Sequence, residues 1–256
     1  MRYRTPGGLM YAPYLIDLIK GNHTLIAGAT GAGKSVLENA IIYSLFCTHY
    51  PGTVSSGRGC QFVFIDPKLV ELEIYRNLPH TWIYADTPES IETALYNVRL
   101  LIDSRLREMK RRRLRTYDGA PVYVFIDELV DLVEASNSKN IMRILVDSIS
   151  IARAAGVYYV IATQAPNRKI LKPEIVLNMN CRVALRCNSP IESRQIIGTN
   201  GAEELPPHGV AIVQKNIEKY MIEIKMKRDE DITSLVQFWE KQHPIHNYFK
   251  RLKCHV

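Results

Sequence analysis

With 256 residues, of which 46% are hydrophobic and 23% charged, the chain has the size and makeup of one globular domain able to bury a substantial core. Its formal net charge of +7 favours an anionic partner such as nucleic acid, although a mildly basic soluble protein fits the same balance. No apolar run approaches the length of a bilayer span and the first residues, Met1 to Gly8, lack the apolar stretch of a secretory signal, so the expectation is a cytoplasmic protein without an intrinsic membrane segment.

Short β-branched or aromatic runs alternate with longer stretches of helical period, the pattern of an α/β fold with a mainly parallel sheet covered by helices on both faces. In chain order the expected strands are Thr24 to Ala27, Phe62 to Ile65, Val122 to Ile126, Val157 to Ala162 and Arg182 to Leu185. The expected helices are Lys34 to Cys47, Glu89 to Arg113, Asn140 to Ala154 and Asp231 to Gln242. Pro51 to Gly59 reads as a mobile loop. Gly209 to Gln214 and Tyr220 to Lys227 alternate like a hairpin turning over Lys215 to Lys219, which would extend the sheet edge. The expected division is a main domain over 1–228 and a C-terminal helical appendage over 229–256. The five cysteines form no C-x-x-C pair, which points to reduced packing residues rather than a disulfide framework or a thiolate zinc site. His208, His243, His246 and His255 show no metal-ligand spacing, and Trp82 and Trp239 read as packing anchors.

The first strand runs into Gly28-Ala29-Thr30-Gly31-Ala32-Gly33-Lys34-Ser35, which fills G-x-x-x-x-G-K-[ST] between a strand and a helix. In such a Walker A loop the glycines let successive N–H groups curl around phosphate oxygens, Lys34 neutralises the β/γ oxygens, and Ser35 coordinates magnesium. The third strand ends in Asp127-Glu128, a Walker B pair in which Asp127 holds the Mg²⁺ shell and Glu128 polarises the attacking water as general base. ATP and Mg²⁺ are therefore the expected cofactors. The fourth strand ends in Thr163-Gln164, and Gln164 reads either as a sensor of the γ-phosphate or attacking water or as an ordinary turn residue. Arg105, Arg107, Lys110, Arg111, Arg112, Arg113 and Arg115 concentrate charge before the Walker B strand. They form either a phosphate-binding patch or a solvated helix end whose cations complement the macrodipole.

Together these residues resemble the motor domain of FtsK/SpoIIIE-type DNA translocases, within the FtsK/HerA group of ring ATPases. The likeness is carried by Asp66-Pro67-Lys68 with Val70-Glu71-Leu72, Asp127-Glu128-Leu129, Ala152-Arg153-Ala154-Ala155-Gly156, Ala162-Thr163-Gln164, Ser193-Arg194-Gln195 and Gly201-Ala202-Glu203-Glu204. It spans roughly Leu15 to Val213. The resemblance implies a RecA-like P-loop core, ATP hydrolysis, a homohexameric ring around double-stranded DNA, and an arginine acting in trans, for which Arg153, Arg182 and Arg194 are candidates. Arg182 and Arg194 fall where the family places such groups. Ala165-Pro166 replaces the family's usual Arg-Pro, and the family's membrane, linker and winged-helix parts have no counterpart here. Compact relatives of this kind resemble DNA-transfer motors of mobile elements, with a recruiting protein as a further partner. The competing expectations are a related ring ATPase that moves protein, as in type VII secretion, and a nucleotide-dependent scaffold.

Overall fold

The computed structural model describes residues 21–48, 59–224, 230, 232–234 and 236–237. In chain order its elements are β1 (Thr24–Ala27), α1 (Lys34–Thr48), β2 (Gln61–Ile65), β3 (Thr81–Ala85), α2 (Pro88–Arg112), β4 (Val122–Ile126), α3 (Leu129–Glu134) and α4 (Ser138–Ala152). They continue with β5 (Val157–Thr163), α5 (Pro173–Val176), β6 (Cys181–Ala184), α6 (Pro190–Ile197), β7 (Val210–Lys215) and β8 (Glu218–Glu223). The strands form one eight-stranded sheet in the order β3-β2-β4-β5-β1-β6-β7-β8. β1 to β6 are mutually parallel, and β7 and β8 add an antiparallel hairpin at the β6 edge.

The central strands read as continuous apolar runs because both of their faces are covered. Leu25, Val63, Val124, Tyr159 and Ile161 point into one core with helices α2, α3 and α4. Their alternate neighbours Ile26, Phe62, Phe64, Phe125 and Val160 point into a second core with Leu37, Ile41, Leu45 and Phe46 of α1. An α/β sheet with helices on both faces is thus the observed class. Ile232 and Val236, four residues apart in helical conformation, are buried against the second core.

The structure adds elements that periodicity did not reveal. β3 is an edge strand whose Thr81 to Tyr84 are only half-buried, so its apolar run is short and one-sided. α6 carries a start signal that went unread: Ser189 accepts from the Glu192 N–H at 3.3 Å, Glu192 accepts from the Asn188 N–H at 2.8 Å, Pro190 opens the helix, and Gly198 closes it at φ 72°. The hairpin turn is tighter than expected. Lys215 pairs with Glu218, leaving only Asn216 and Ile217 in the loop, with Asn216 at φ 57°. α2 starts with a reciprocal cap between Thr87 and Ser90 and ends at Arg113 in the left-handed region.

Cys60, Cys181 and Cys187 are buried free thiols, as packing residues should be, His208 is exposed, and Trp82 lies half-buried against the first core. The loop over Pro51 to Arg58, Trp239, His243, His246, His255 and most of the expected Asp231 to Gln242 helix and 229–256 appendage lie outside the described residues. Among the described residues no helix is long and apolar enough to cross a membrane.

Candidate nucleotide-binding site

The strand order places β5 between β1 and β4, so the Walker A strand and the Walker B strand each flank the strand that ends in Gln164. In an open parallel sheet ligands gather beyond the carboxyl ends of strands, and all three motifs emerge there side by side. Ala29 to Gly33 form the turn, and α1 begins at Lys34 with no acidic residue in its first turn, so its free N–H groups face any anion without a competing carboxylate.

Two kinds of constraint explain the glycines. Gly31 and Gly33 adopt φ 76° and 99°, where side chains are strained. Gly28 is required by space instead: a Cβ there would meet the Leu185 Cβ at 2.7 Å and the Arg186 carbonyl oxygen at 3.1 Å. The Ala29 N–H donates to that same carbonyl at 2.8 Å, pinning the loop onto the end of β6. Ala32 is buried and Ser35 is part-exposed at the start of the helix.

A chain of hydrogen bonds joins the three motifs. The Thr30 hydroxyl donates to the Gln164 side-chain oxygen at 2.6 Å. The Gln164 backbone N–H donates to both oxygens of Glu128, at 3.2 and 3.1 Å. Glu128 is 2% exposed and also caps α3 by accepting from Val130 N–H, at a long 3.4 Å. Gln164 is therefore not a free turn residue: its side chain holds the phosphate loop and its backbone holds the candidate base.

Buried charge collects around Asp127. Lys34, Glu38, Asp66, Asp127 and Glu128 are all buried. Burial holds the Lys34 ammonium below the ordinary lysine range, against the pull of Glu128, Glu38 and Asp127. Burial likewise pushes the Asp127 carboxyl up to about 6; the Glu38 side chain opposes this, and Asp66, Glu71 and Glu128 add to it. Glu38, fully buried one helical turn after Lys34, is pushed well above the usual carboxylate range by burial and then by the facing Asp127. Burial thus disfavours the charged form of both facing carboxyls. Asp66 accepts from Leu72 N–H at 2.9 Å and from the Tyr84 hydroxyl at 3.2 Å, which folds the 67–72 loop over this cluster. Lys68 of that loop reaches Asp131 at 3.4 Å.

These residues fit a magnesium nucleotide. Loop glycines leave room for phosphates, a buried lysine stands beside them, and the buried acids around Asp127 outnumber that lysine. Glu38 and Asp66 were not singled out for this site by the motifs. Nothing in the spacing of Glu38 marked it, whereas Asp66-Pro67-Lys68 was visible without a role.

The candidate arginines lie elsewhere. Arg182 donates to the Met179 and Val176 carbonyls at 3.1 and 2.9 Å, and Arg194 donates to Asn200 Oδ1 at 2.6 Å. Both line a cavity of about 790 Å³ with Arg168, Leu177 and Ile191, and none of the lining residues belongs to the phosphate loop. Arg153 is exposed at the C-cap of α4, at the opposite end of the strands. The cations from Arg105 to Arg115 do not share one surface. Arg105 is buried, donating to the Ala155, Gly156 and Ala120 carbonyls at 2.9, 3.3 and 2.9 Å with Tyr117 against its face at 4.2 Å. Arg112 is held by Glu108 and Asp118, at 3.1 and 2.6 Å. Lys110 to Arg112 form the last helical turn, where they complement the macrodipole. A separate cleft of about 390 Å³ does gather cations: Lys139 and Arg143 of α4 and Lys172 line it with Asp147 and Glu174.

Comparison with known proteins places the chain among relatives. The FtsK/SpoIIIE family model matches residues 4–197. The DNA translocase FtsK of Lactococcus lactis subsp. lactis (strain IL1403) is 32% identical over 248 residues, covering 88% of this chain and 32% of that protein. The DNA translocase FtsK of Staphylococcus epidermidis (strain ATCC 35984) is 30% identical over 263 residues, covering 94% of this chain and 32% of that protein. The chain thus spans about a third of the length of these relatives. Among solved structures, the pCW3 conjugation coupling protein TcpA in monomer form with ATPγS is similar with a TM-score of 0.75 at 20% identity, covering 87% of this chain and 66% of that one. The cytoplasmic domain of the Thermomonospora curvata type VII secretion ATPase EccC is similar with a TM-score of 0.69 at 21% identity, covering 85% and 28%. At such identities the likeness to these two structures is one of fold.

Proposed function

The chain belongs to the FtsK/SpoIIIE family, and from that premise we propose that it hydrolyses ATP to drive movement along double-stranded DNA, in the cytoplasm and as a homohexamer. The observation that carries this reading is the hydrogen-bond chain from Thr30 through Gln164 to Glu128, which couples the phosphate loop, the sensor strand and the base.

The loop from Gly28 to Ser35 cradles the phosphates, with Lys34 against the β/γ oxygens. Ser35 and Asp127 would hold a magnesium ion, which would neutralise charge on those oxygens. Glu128 takes the proton of the attacking water, and its position is set by the backbone of Gln164. The Gln164 side-chain amide meets the γ-phosphate and returns to the Thr30 hydroxyl when that phosphate leaves, and because the backbone of the same residue holds Glu128, base and sensor move together. A neighbouring subunit supplies the arginine. Arg194 ranks before Arg182, since two donor positions of Arg182 are committed to carbonyls while Arg194 is exposed and donates to the side chain of Asn200.

The duplex is gripped through phosphates by Lys139, Arg143 and Lys172, whose cleft opens between elements that follow the carboxyl ends of β4 and β5. The test is steady-state ATP hydrolysis with and without long duplex DNA at two salt concentrations, with Lys34→Ala as the blank. DNA stimulation that weakens with salt and shrinks in Lys139→Ala/Arg143→Ala supports the reading. Lys34-dependent hydrolysis indifferent to DNA moves the assignment to a protein substrate or an adaptor that requires a recruiting partner.

A further inference from the structure

Glu38 stands on the inner face of α1 among Leu37, Ile41 and Ile42, where an apolar residue would pack without cost, yet it is a carboxyl with no solvent exposure. Its two oxygens have no hydrogen-bond partner among the described residues, and the Oδ1 of Asp66 also has none. A buried carboxyl with no partner is costly whether charged or neutral, because its acceptors have given up water for nothing. Lys34 is shared among Glu128, Glu38 and Asp127, and Lys68 is engaged by Asp131 at 3.4 Å, so the acids outnumber the cations beside them. These unpartnered acceptors lie beside Asp127, the residue to which the reading above assigns the cation.

We propose that Glu38 is a member of the magnesium shell of this phosphate loop, accepting a hydrogen bond from an ion-bound water while Ser35 and Asp127 hold the ion directly. This rests on the nucleotide-site reading above. Magnesium keeps several waters and takes only one or two protein carboxylates, and those waters need acceptors. Among the described residues no three acidic, histidine or cysteine side chains converge as a metal cage, which suits an indirect role for Glu38. The placement is economical. A helix that starts at the phosphate with Lys34 and Ser35 brings residue 38, one turn on, against the end of the Walker B strand. Residues that orient a metal through a second layer typically change its affinity by about 10–100-fold when removed.

The experiment uses the full chain with manganese as the paramagnetic probe and a saturating non-hydrolysable ATP analogue, reading free manganese by electron paramagnetic resonance. In Glu38→Leu the manganese Kd should rise about 10–100-fold, with a smaller rise in Glu38→Gln, while binding of the analogue in EDTA is not weakened. Unchanged manganese affinity in the folded variants would overturn the proposal. If neither variant folds, a crystal structure of the wild type with magnesium and the analogue decides. Glu38 within hydrogen-bond distance of an ion-bound water supports the role, and Glu38 away from every such water overturns it. A wild type that binds no manganese with the analogue present fails earlier, and takes the nucleotide-site reading down with the proposal.

Discussion

The two ends of the parallel sheet treat buried charge in opposite ways. At the amino ends of the strands, Arg105 is surrounded by acceptors: three carbonyls and the face of Tyr117 tie α2 to the segments before β4 and β5. At the carboxyl ends, Glu38, Asp127 and Glu128 are buried within reach of Lys34, with Asp66 beside Asp127, and burial shifts Asp127 and Lys34 toward their neutral forms. At the first end the buried charge is met by the protein's own carbonyls, and that contact holds the fold. The second is left short of positive charge, which is the condition a site must be in before a cation and a polyphosphate arrive with their own.

The contrast breaks most sharply at Glu128. Glu128→Gln keeps an acceptor for the Gln164 N–H but removes the base, so ATP turnover should fall by roughly 10²–10⁴-fold with nucleotide binding retained, as measured by hydrolysis alongside a binding titration. At the other end Arg105→Ala should do the reverse. Urea unfolding should show a loss of about 3 kcal/mol, as three carbonyls lose a charged donor, while nucleotide affinity of the folded protein is kept.

A third test uses pH. His23 accepts from Tyr159 N–H at 3.0 Å in neutral form, and burial, aided by Arg153, lowers it from 6.5 to about 4. Because the unfolded chain binds the proton first, this group's contribution is complete above 6.5 and is lost on acidification toward about 4, at most about 3 kcal/mol. The raised carboxyl of Asp127 acts with opposite sign: the folded state keeps its proton up to about 6, so its effect weakens the fold as pH rises from 3.8. The difference between wild type and His23→Asn in thermal unfolding from pH 7 to 4 isolates the histidine, and identical pH profiles would refute the assignment. The smallest expected effect is at the exposed Thr30–Gln164 bond: Thr30→Val should slow turnover by roughly fivefold, about 1 kcal/mol, and leave the melting temperature unchanged.

What sequence made visible follows the same division. The phosphate loop and the Asp127-Glu128 pair were legible because their chemistry is local, a few adjacent residues between a strand and a helix. Glu38 was not, since its meaning depends on facing Asp127 across 89 positions of chain, and an acid inside a helical period reads as a solvated face. Arg105 misled for the complementary reason: six cations surround it in sequence, but it alone turns inward. β3 escaped because a half-covered edge strand has neither a full apolar run nor a clean alternation, while β4 and β5, covered on both faces, announced themselves.

The position of β5 also sets a mechanical limit. Bonded to β1 on one side and β4 on the other, it behaves as a beam clamped along both edges, so a displacement that begins at Gln164 is passed forward into the segment that follows and not back through the sheet. That segment carries Arg168, Lys169 and Lys172 before α5 begins at Pro173. Nine peptide links separate Thr163 from Lys172, a contour of about 30 Å when fully drawn out. For a motor of the kind proposed, the throw that Lys172 can deliver is bounded by this tether, and lengthening or stiffening it would change step size without touching a catalytic group.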